Sequence, residues 1–240
     1  MQVRKEIEQI TAFLKEQIGE KTPVLGISGG IDSALTLMLL KEAFPDRKIK
    51  AFFMPDSTTP ESDYEDVKAL QEASGVDIET IRIESVVEVF RELLGIKSKE
   101  ALGNIKSRTR MIILYYQSNI SEGMVVGTTN RSEYIVGYYT KYGDGGCDVE
   151  PIIHLLKREV KEMASALNVP KNIISKKPSA GLWESQTDES ELGMTYDELD
   201  DVIVEMFDRK QTQEDSRFSR VKELYSFSEH KRRMPVSMLK

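Results

Sequence analysis

Cysteine is nearly absent: Cys147 is the only one in 240 residues. A lone thiol rules out an internal disulfide and a multi-cysteine zinc site. Long apolar runs are missing too, and no stretch approaches the roughly 20 residues that a membrane span requires. The first residues, Met1-Gln2-Val3-Arg4-Lys5-Glu6, are charged and periodic where a signal peptide would be apolar. Positive charge is not in surplus, since 33 Lys and Arg face 40 Asp and Glu, a net of −7. That balance argues against a broad nucleic-acid footprint while leaving room for a local basic pocket. The expectation is a cytoplasmic protein that binds neither nucleic acid nor membrane.

What is present describes an ordinary globular chain, 40% hydrophobic and 30% charged. Its length suits one α/β core with elaborations better than two independent domains, so residues 1–240 are read as a single domain. Ile7, Ile10, Leu14 and Ile18 recur three or four apart and predict a helix over 3–18. Apolar runs at 23–27, 49–54, 78–83 and 124–127 predict strands. Helical stretches separate them: 34–43, one opening after Thr58-Thr59-Pro60-Glu61, one reaching Leu94, and a long one over 99–119. Strand alternating with helix is the pattern of a parallel sheet covered by helices on both faces. Beyond residue 137 the chain turns irregular, with helical stretches near 157–168 and 196–208, and reads as an elaboration packed on the sheet.

The first strand runs into Gly26-Ile27-Ser28-Gly29-Gly30-Ile31-Asp32-Ser33. Open α/β sheets bind ligands at the carboxyl edge, where this loop falls. Glycines let backbone approach a phosphate chain, the helix start adds unpaired N–H groups, and the Ser28 and Ser33 hydroxyls can donate. Asp32 would repel bare phosphate, so an acid there makes sense through a bridging Mg²⁺. The lysine-bearing loop G-x-x-x-x-G-K-[ST] is absent, which argues against a γ-phosphate cleaver. A plain turn with Ser28 or Asp32 capping the helix is the alternative. The string Ser-Gly-Gly-Ile-Asp-Ser resembles the pyrophosphate loop of the N-type ATP pyrophosphatases, which split ATP between the α- and β-phosphates. That superfamily includes NAD, GMP, argininosuccinate and asparagine synthetases and tRNA-modifying enzymes, so the loop implies a reaction type without an acceptor.

Three further segments bear on the acceptor. In Gly103–Met111, helical geometry puts Ile105, Thr109, Ile112 and Tyr116 on one face, Arg108 at its margin and Arg110 well away from it. Arg108 could reach a phosphate or carboxylate, or the run could be a solvated basic face. The apolar run 111–116 could cover the sheet on one side and a second copy on the other, hence an expected homodimer. In Val126–Glu133, Asn130 and Glu133 fit a capping box, or Thr128 meets the sheet edge and Glu133 is a second Mg²⁺ ligand. The continuation Gly137-Tyr138-Tyr139-Thr140-Lys141-Tyr142-Gly143-Asp144-Gly145-Gly146 is too idiosyncratic for a generic loop and suits a nucleotide or nicotinate pocket. Residues 177–189 read as a disordered linker or as a lid that excludes water, and His230-Lys231-Arg232-Arg233 as a solvated basic tail or part of that closure.

Together these segments, in this order and over nearly the whole chain, resemble the ammonia-dependent NAD synthetases. The resemblance implies an adenine-nucleotide α-hydrolase-like fold and ATP-dependent amidation of deamido-NAD through an acyl-adenylate. It implies that Gly26 to Ser33, Thr128, Lys157 and Ser179 contact ATP, and that Asp32 and Glu133 hold Mg²⁺. It further implies that Arg108, Lys141, Asp148, His230 and Lys231 contact deamido-NAD. Ser179 stands where many members have threonine, so the hydroxyl is kept. Asp32, Glu133 and Lys157 would carry the chemistry, with Cys147 a bystander. No glutaminase domain fits beside a synthetase of this length, so free ammonia is the expected nitrogen source. A GMP synthetase lacks the Gly137–Asp144 segment, a tRNA thiolase usually needs catalytic cysteines, and a nucleotide sensor need not keep both acids.

Overall fold

Residues 2–179, 181–183, 186–211, 213 and 215–238 are described in a computed structural model of the chain. Ala180, Glu184 and Ser185, within the segment 177–189, lie outside the described residues. Four apolar runs form strands β1 (Thr22–Ile27), β2 (Lys50–Phe53), β3 (Ile78–Thr80) and β4 (Gly123–Val126). All pair in parallel in the order β3-β2-β1-β4, with Leu25 opposite both Ala51 and Val126. The order reverses between β1 and β4, and loops leaving these two strands diverge to leave a crevice at their carboxyl ends.

In chain order, α1 (Val3–Ile18) precedes β1, α2 (Ile31–Ala43) joins β1 to β2, and α3 (Glu61–Ser74) joins β2 to β3. Helices α4 (Glu84–Leu94) and α5 (Lys99–Ile120) lead into β4. Then come α6 (Arg131–Val136), α7 (Lys157–Ala166), α8 (Lys171–Ser175), α9 (Asp188–Leu192), α10 (Tyr196–Ile203) and α11 (Ser216–Phe227). Alternate strand residues feed two cores, as the two-residue repeat of a strand dictates. Leu25, Ile27 and Phe53 pack with Leu14 of α1, Leu35 of α2 and Met163 of α7. Val24 and Phe52 on the opposite face pack with Val87 of α4 and Ile113 and Leu114 of α5. Both faces are thus covered, as expected, and strands buried on both sides read as continuous apolar runs.

Three differences from the sequence reading have physical causes. Strand β3 is shorter than the apolar run 78–83, although the Ile81 and Ile83 N–H groups still donate to Phe53 and Pro55 carbonyls beyond it. The C-terminal elaboration is more helical than expected: Leu199, Ile203, Phe218 and Val221 form a third core with Ile135 and Val136 of α6. The phase of α5 is also different. Ile112 and Tyr116 are 57% and 59% exposed, whereas Lys106, Ser107 and Arg110 turn inward. Arg110, expected to point away, donates to the Met54 carbonyl and to Asp56.

Candidate active site

The glycine loop leaves β1 and turns directly into α2. Gly29 has φ 81, and a Cβ there would stand 3.3 Å from the Asp63 side chain, so this position favours glycine twice over. Gly30 occupies the N-cap of α2 with no side-chain cap. Ser28 and Asp32 therefore do not cap the helix, and the first-turn N–H groups of α2 remain available to an anion. Ser33 Oγ donates to the Gly30 carbonyl and accepts from the Ser28 N–H, which fixes the loop's shape.

Asp32 points out of α2 across the crevice. Its Oδ2 accepts from Lys157 Nζ at 2.6 Å and its Oδ1 from Asn130 Nδ2 at 2.8 Å. The same Lys157 ammonium donates to Glu133 Oε1 at 3.0 Å. Three residues from three distant segments thus meet on one buried cation, with Lys157 only 2% exposed. Asn130 also caps α6 by accepting from the Glu133 N–H, so the capping reading and the site reading both hold for Asn130. Glu133 does not complete a capping box; its carboxylate turns to Lys157 instead.

Burial pushes the Glu133 carboxyl above its ordinary value, with Lys157 opposing the rise and Asp32 adding to it. Burial would lower the Lys157 ammonium, but the two carboxylates outweigh it and hold it above its ordinary value. Lys157 opens α7, and its placement depends on Asp200 of α10. One Asp200 oxygen accepts from the Arg158 N–H and the other from Ser132 Oγ, which itself accepts from the Lys157 N–H. The Tyr196 ring lies 4.8 Å from Lys157 Nζ, and its hydroxyl donates to Glu133 at 3.3 Å.

A cleft of about 550 Å³ opens above this cluster. Gly26 to Ser33, Thr128, Glu133, Lys157, Ser179 and Lys231 line it, and so does Arg110. Arg108, Lys141, Asp148 and His230 stand outside that lining. Arg108 donates to the Lys141 carbonyl, and Lys141 Nζ to the His230 carbonyl, so three of them form a cluster on the rim. Asp148 is engaged by the Val125 N–H and the Tyr115 hydroxyl. Lys231 Nζ donates to the Gly137 and Tyr139 carbonyls and so ties the tail to the tyrosine loop. The sequence reading did not single out Asn130, Tyr196 or Asp200 as parts of this site; each sits on an element whose own periodicity or capping already explains it.

The donor set fits a divalent cation bound together with phosphate. Asp32 and Glu133 supply hard oxygens, and a magnesium ion on phosphates needs only one or two carboxylates, so the lack of a three-acid cluster among the described residues does not count against it.

A parallel sheet with a glycine loop and the Asp32–Lys157–Glu133 cluster at its carboxyl edge defines a nucleotide-binding α/β protein. The NAD synthase family model matches residues 6–235, and the chain belongs to that family. It is 54% identical to the NH(3)-dependent NAD(+) synthetase of Thermoplasma volcanium over 98% of this chain and 97% of that one. Among solved structures it resembles an NMN synthetase from Francisella tularensis (TM-score 0.91, 31% identical, all of both chains covered). It also resembles an NH3-dependent NAD synthetase from Campylobacter jejuni in complex with nitrate (TM-score 0.84, 30% identical, 99% of this chain and all of that one).

Proposed function

We propose that the chain amidates deamido-NAD with free ammonia, spending ATP to AMP and pyrophosphate, as a single domain over residues 1–240. The observation that carries this reading is the Asp32–Lys157–Glu133 cluster beside the glycine loop. The nicotinate carboxylate is a poor electrophile because its leaving group would be oxide. Its oxygen attacks the α-phosphorus of ATP, the bond to the β-phosphate bridge breaks, and pyrophosphate leaves. Ammonia then attacks the acyl carbonyl, AMP departs, and one proton is released.

The protein's part is positioning and charge neutralisation. Gly26 to Ser33 and the start of α2 offer N–H groups to the phosphates, with Thr128 and Ser179 as hydroxyl donors. Lys157 offsets charge that grows on the phosphate region. Asp32 and Glu133 would hold Mg²⁺, which when bound neutralises the pyrophosphate leaving group. Lys231 lies in the cleft wall; Arg108, Lys141, Asp148 and His230 would meet the far part of deamido-NAD at the rim. Arg110, inside the cleft, is a further anion donor. The exposed apolar side chains of α5 support a homodimer, and we place the enzyme in the cytoplasm.

The test is a reaction mixture of protein, ATP, Mg²⁺ and ammonium with deamido-NAD, and in parallel with nicotinate mononucleotide. NAD, AMP and pyrophosphate in equal amounts from the first are expected. Release of ADP would overturn the reading, and a clear preference for the mononucleotide would reassign the substrate.

A further inference from the structure

Tyr196 and Asp200 stand four apart on α10, one above the other on the side that meets α6 and α7. Asp200 is fully buried, and a buried carboxylate is costly unless donors surround it. Ser132 Oγ and the Arg158 N–H donate to it, whereas the Arg158 guanidinium turns to Asp201 at 2.7 Å. An apolar residue at 200 would avoid the desolvation cost. What the carboxylate adds is a bond to the start of α6 and another to the start of α7.

Beyond α10 the chain continues into a π-helical turn, Val204–Asp208, where the Arg209 N–H reaches back five residues to the Val204 carbonyl at 3.0 Å. A π turn fits one extra residue into a helix and so delays its face by one position. Two α-helical turns past Asp200 would arrive at Phe207; with the extra residue, Asp208 arrives there instead. Asp208 accepts from both terminal guanidinium nitrogens of Arg131, and Phe207 packs in the third core against Tyr225. Three successive residues of α6, Arg131, Ser132 and Glu133, are thus met in turn by Asp208, Asp200 and Tyr196. The start of α7 is held through the same residues. The Lys157 N–H donates to Ser132 Oγ at 3.0 Å, the Arg131 N–H donates to the Leu155 carbonyl at 2.8 Å, and the Tyr196 ring lies 4.8 Å from Lys157 Nζ.

We propose that Tyr196 and Asp200, on a face whose far end Asp208 anchors, are positioning residues that fix the spacing of Glu133 from Lys157 and thereby the rate at which bound substrates react. This rests on the amidation reading above. Glu133 and Lys157 belong to separate helices, 24 positions apart in the chain, so no local structure holds their 3.0 Å contact. Helix α10 supplies the rigid link, because each of its bonds ends on one of the two or on a residue beside one of them. Tyr196, Asp200 and Asp208 do not line the cleft, so they act through Lys157 and Glu133. A displacement of about 1 Å between groups that must meet the reacting atoms together costs on the order of 10²-fold in rate.

The experiment compares the native enzyme with Asp200→Asn and Tyr196→Phe. Asparagine keeps the shape of Asp200 but turns an amide N–H₂ onto one of its two donors; phenylalanine keeps the ring beside Lys157 and loses the hydroxyl. Values of kcat and KM are measured per folded molecule with ATP, Mg²⁺, ammonium and deamido-NAD. Acetylation of lysines by acetic anhydride is followed without substrates by mass spectrometry. The expected result is kcat lowered about 10- to 100-fold in Asp200→Asn and about tenfold in Tyr196→Phe, with KM for deamido-NAD within about twofold of native. Lys157, 2% exposed, should label faster in both variants, while Lys106, 3% exposed on α5, keeps its native rate. A merely structural role would lower the melting temperature, leave the kcat of folded molecules native and expose both lysines alike. Native kcat in a folded Asp200→Asn enzyme, or faster labelling of both lysines alike, would overturn the proposal. If that variant does not fold, Tyr196→Phe decides by the same readings. Failure of the native enzyme to form AMP would instead overturn the amidation reading, and the labelling rates would still decide whether α10 holds Lys157.

Discussion

Lys157 is the common partner of two buried carboxyl groups, and removing its ammonium would leave Asp32 and Glu133 facing each other in a poorly solvated pocket. Lys157→Met should therefore cost stability as well as turnover. We expect kcat to fall about 10²–10³-fold, the range typical of losing a preorganised electrostatic group. The melting temperature should fall as well, because Asp32 and Glu133 lose their common partner. Asp32→Ala should abolish turnover with the fold intact, since it removes one of the two acids. Steady-state kinetics and thermal melts of the two variants separate these effects.

Glu150 offers a pH prediction away from the reacting groups. Burial pushes its carboxyl up to about 7, against hydrogen bonds from Cys147 and the Thr129 N–H. A folded acid with a raised value binds its proton more tightly than the unfolded chain does. Its contribution to stability is then complete below the ordinary 4.5 and is lost as pH rises through about 7. Glu150→Gln should remove a fall on the order of 3 kcal/mol between pH 4.5 and 8. Denaturant melts at several pH values test this; identical slopes for native and variant would refute it. At this scale the sequence was most legible where chemistry demands a particular atom. Asp32 stands out because an acid in a phosphate loop has few other uses, whereas Glu133 by itself reads as half of a capping box. Arg110 was missed because an apolar stripe was taken to mark the inside of α5. Here the inside is a polar cleft, so Lys106, Ser107 and Thr109 are buried, Arg110 is half-buried, and Ile112 and Tyr116 face outward.

Among the elements, α6 shows how a six-residue helix can be held rigidly. Gly137 ends it with φ 68, and a Cβ there would lie 2.1 Å from Ser228 Cβ of the segment after α11. Gly137→Ala combines left-handed strain with overlap against backbone-anchored atoms, for a cost of roughly 2–4 kcal/mol. The same change should shift Lys231 and raise KM for deamido-NAD, so a melt and a KM measurement together check it. The strands and α5 were legible because continuous apolar runs and breaker-free stretches are strong local signals. Helix α11 was not, because its packing surface is shared with α6 and α10 and appears only after they assemble.

For the molecule as a whole, the exposed apolar side chains of α4 and α5, including Val89, Leu93, Ile112 and Tyr116, form a surface that a second copy would cover. Sedimentation at micromolar concentration should give twice the 27.3 kDa chain mass, and Ile112→Glu with Tyr116→Asp should give the single-chain mass. A native monomer would exclude the dimer. Parallel-sheet class and the sheet edge used were readable from strand–helix alternation; which surfaces meet a partner was not, because apolar periodicity alone does not say whether a stripe faces the core or another molecule.

The Asp32–Lys157 bond spans 125 positions of the chain. A ribosome delivers the phosphate loop early and its lysine only after more than half the polypeptide has emerged. Until then Asp32 has no Lys157 ammonium to pair with. A chain cut anywhere between positions 133 and 157 therefore lacks the cation that joins Asp32 to Glu133.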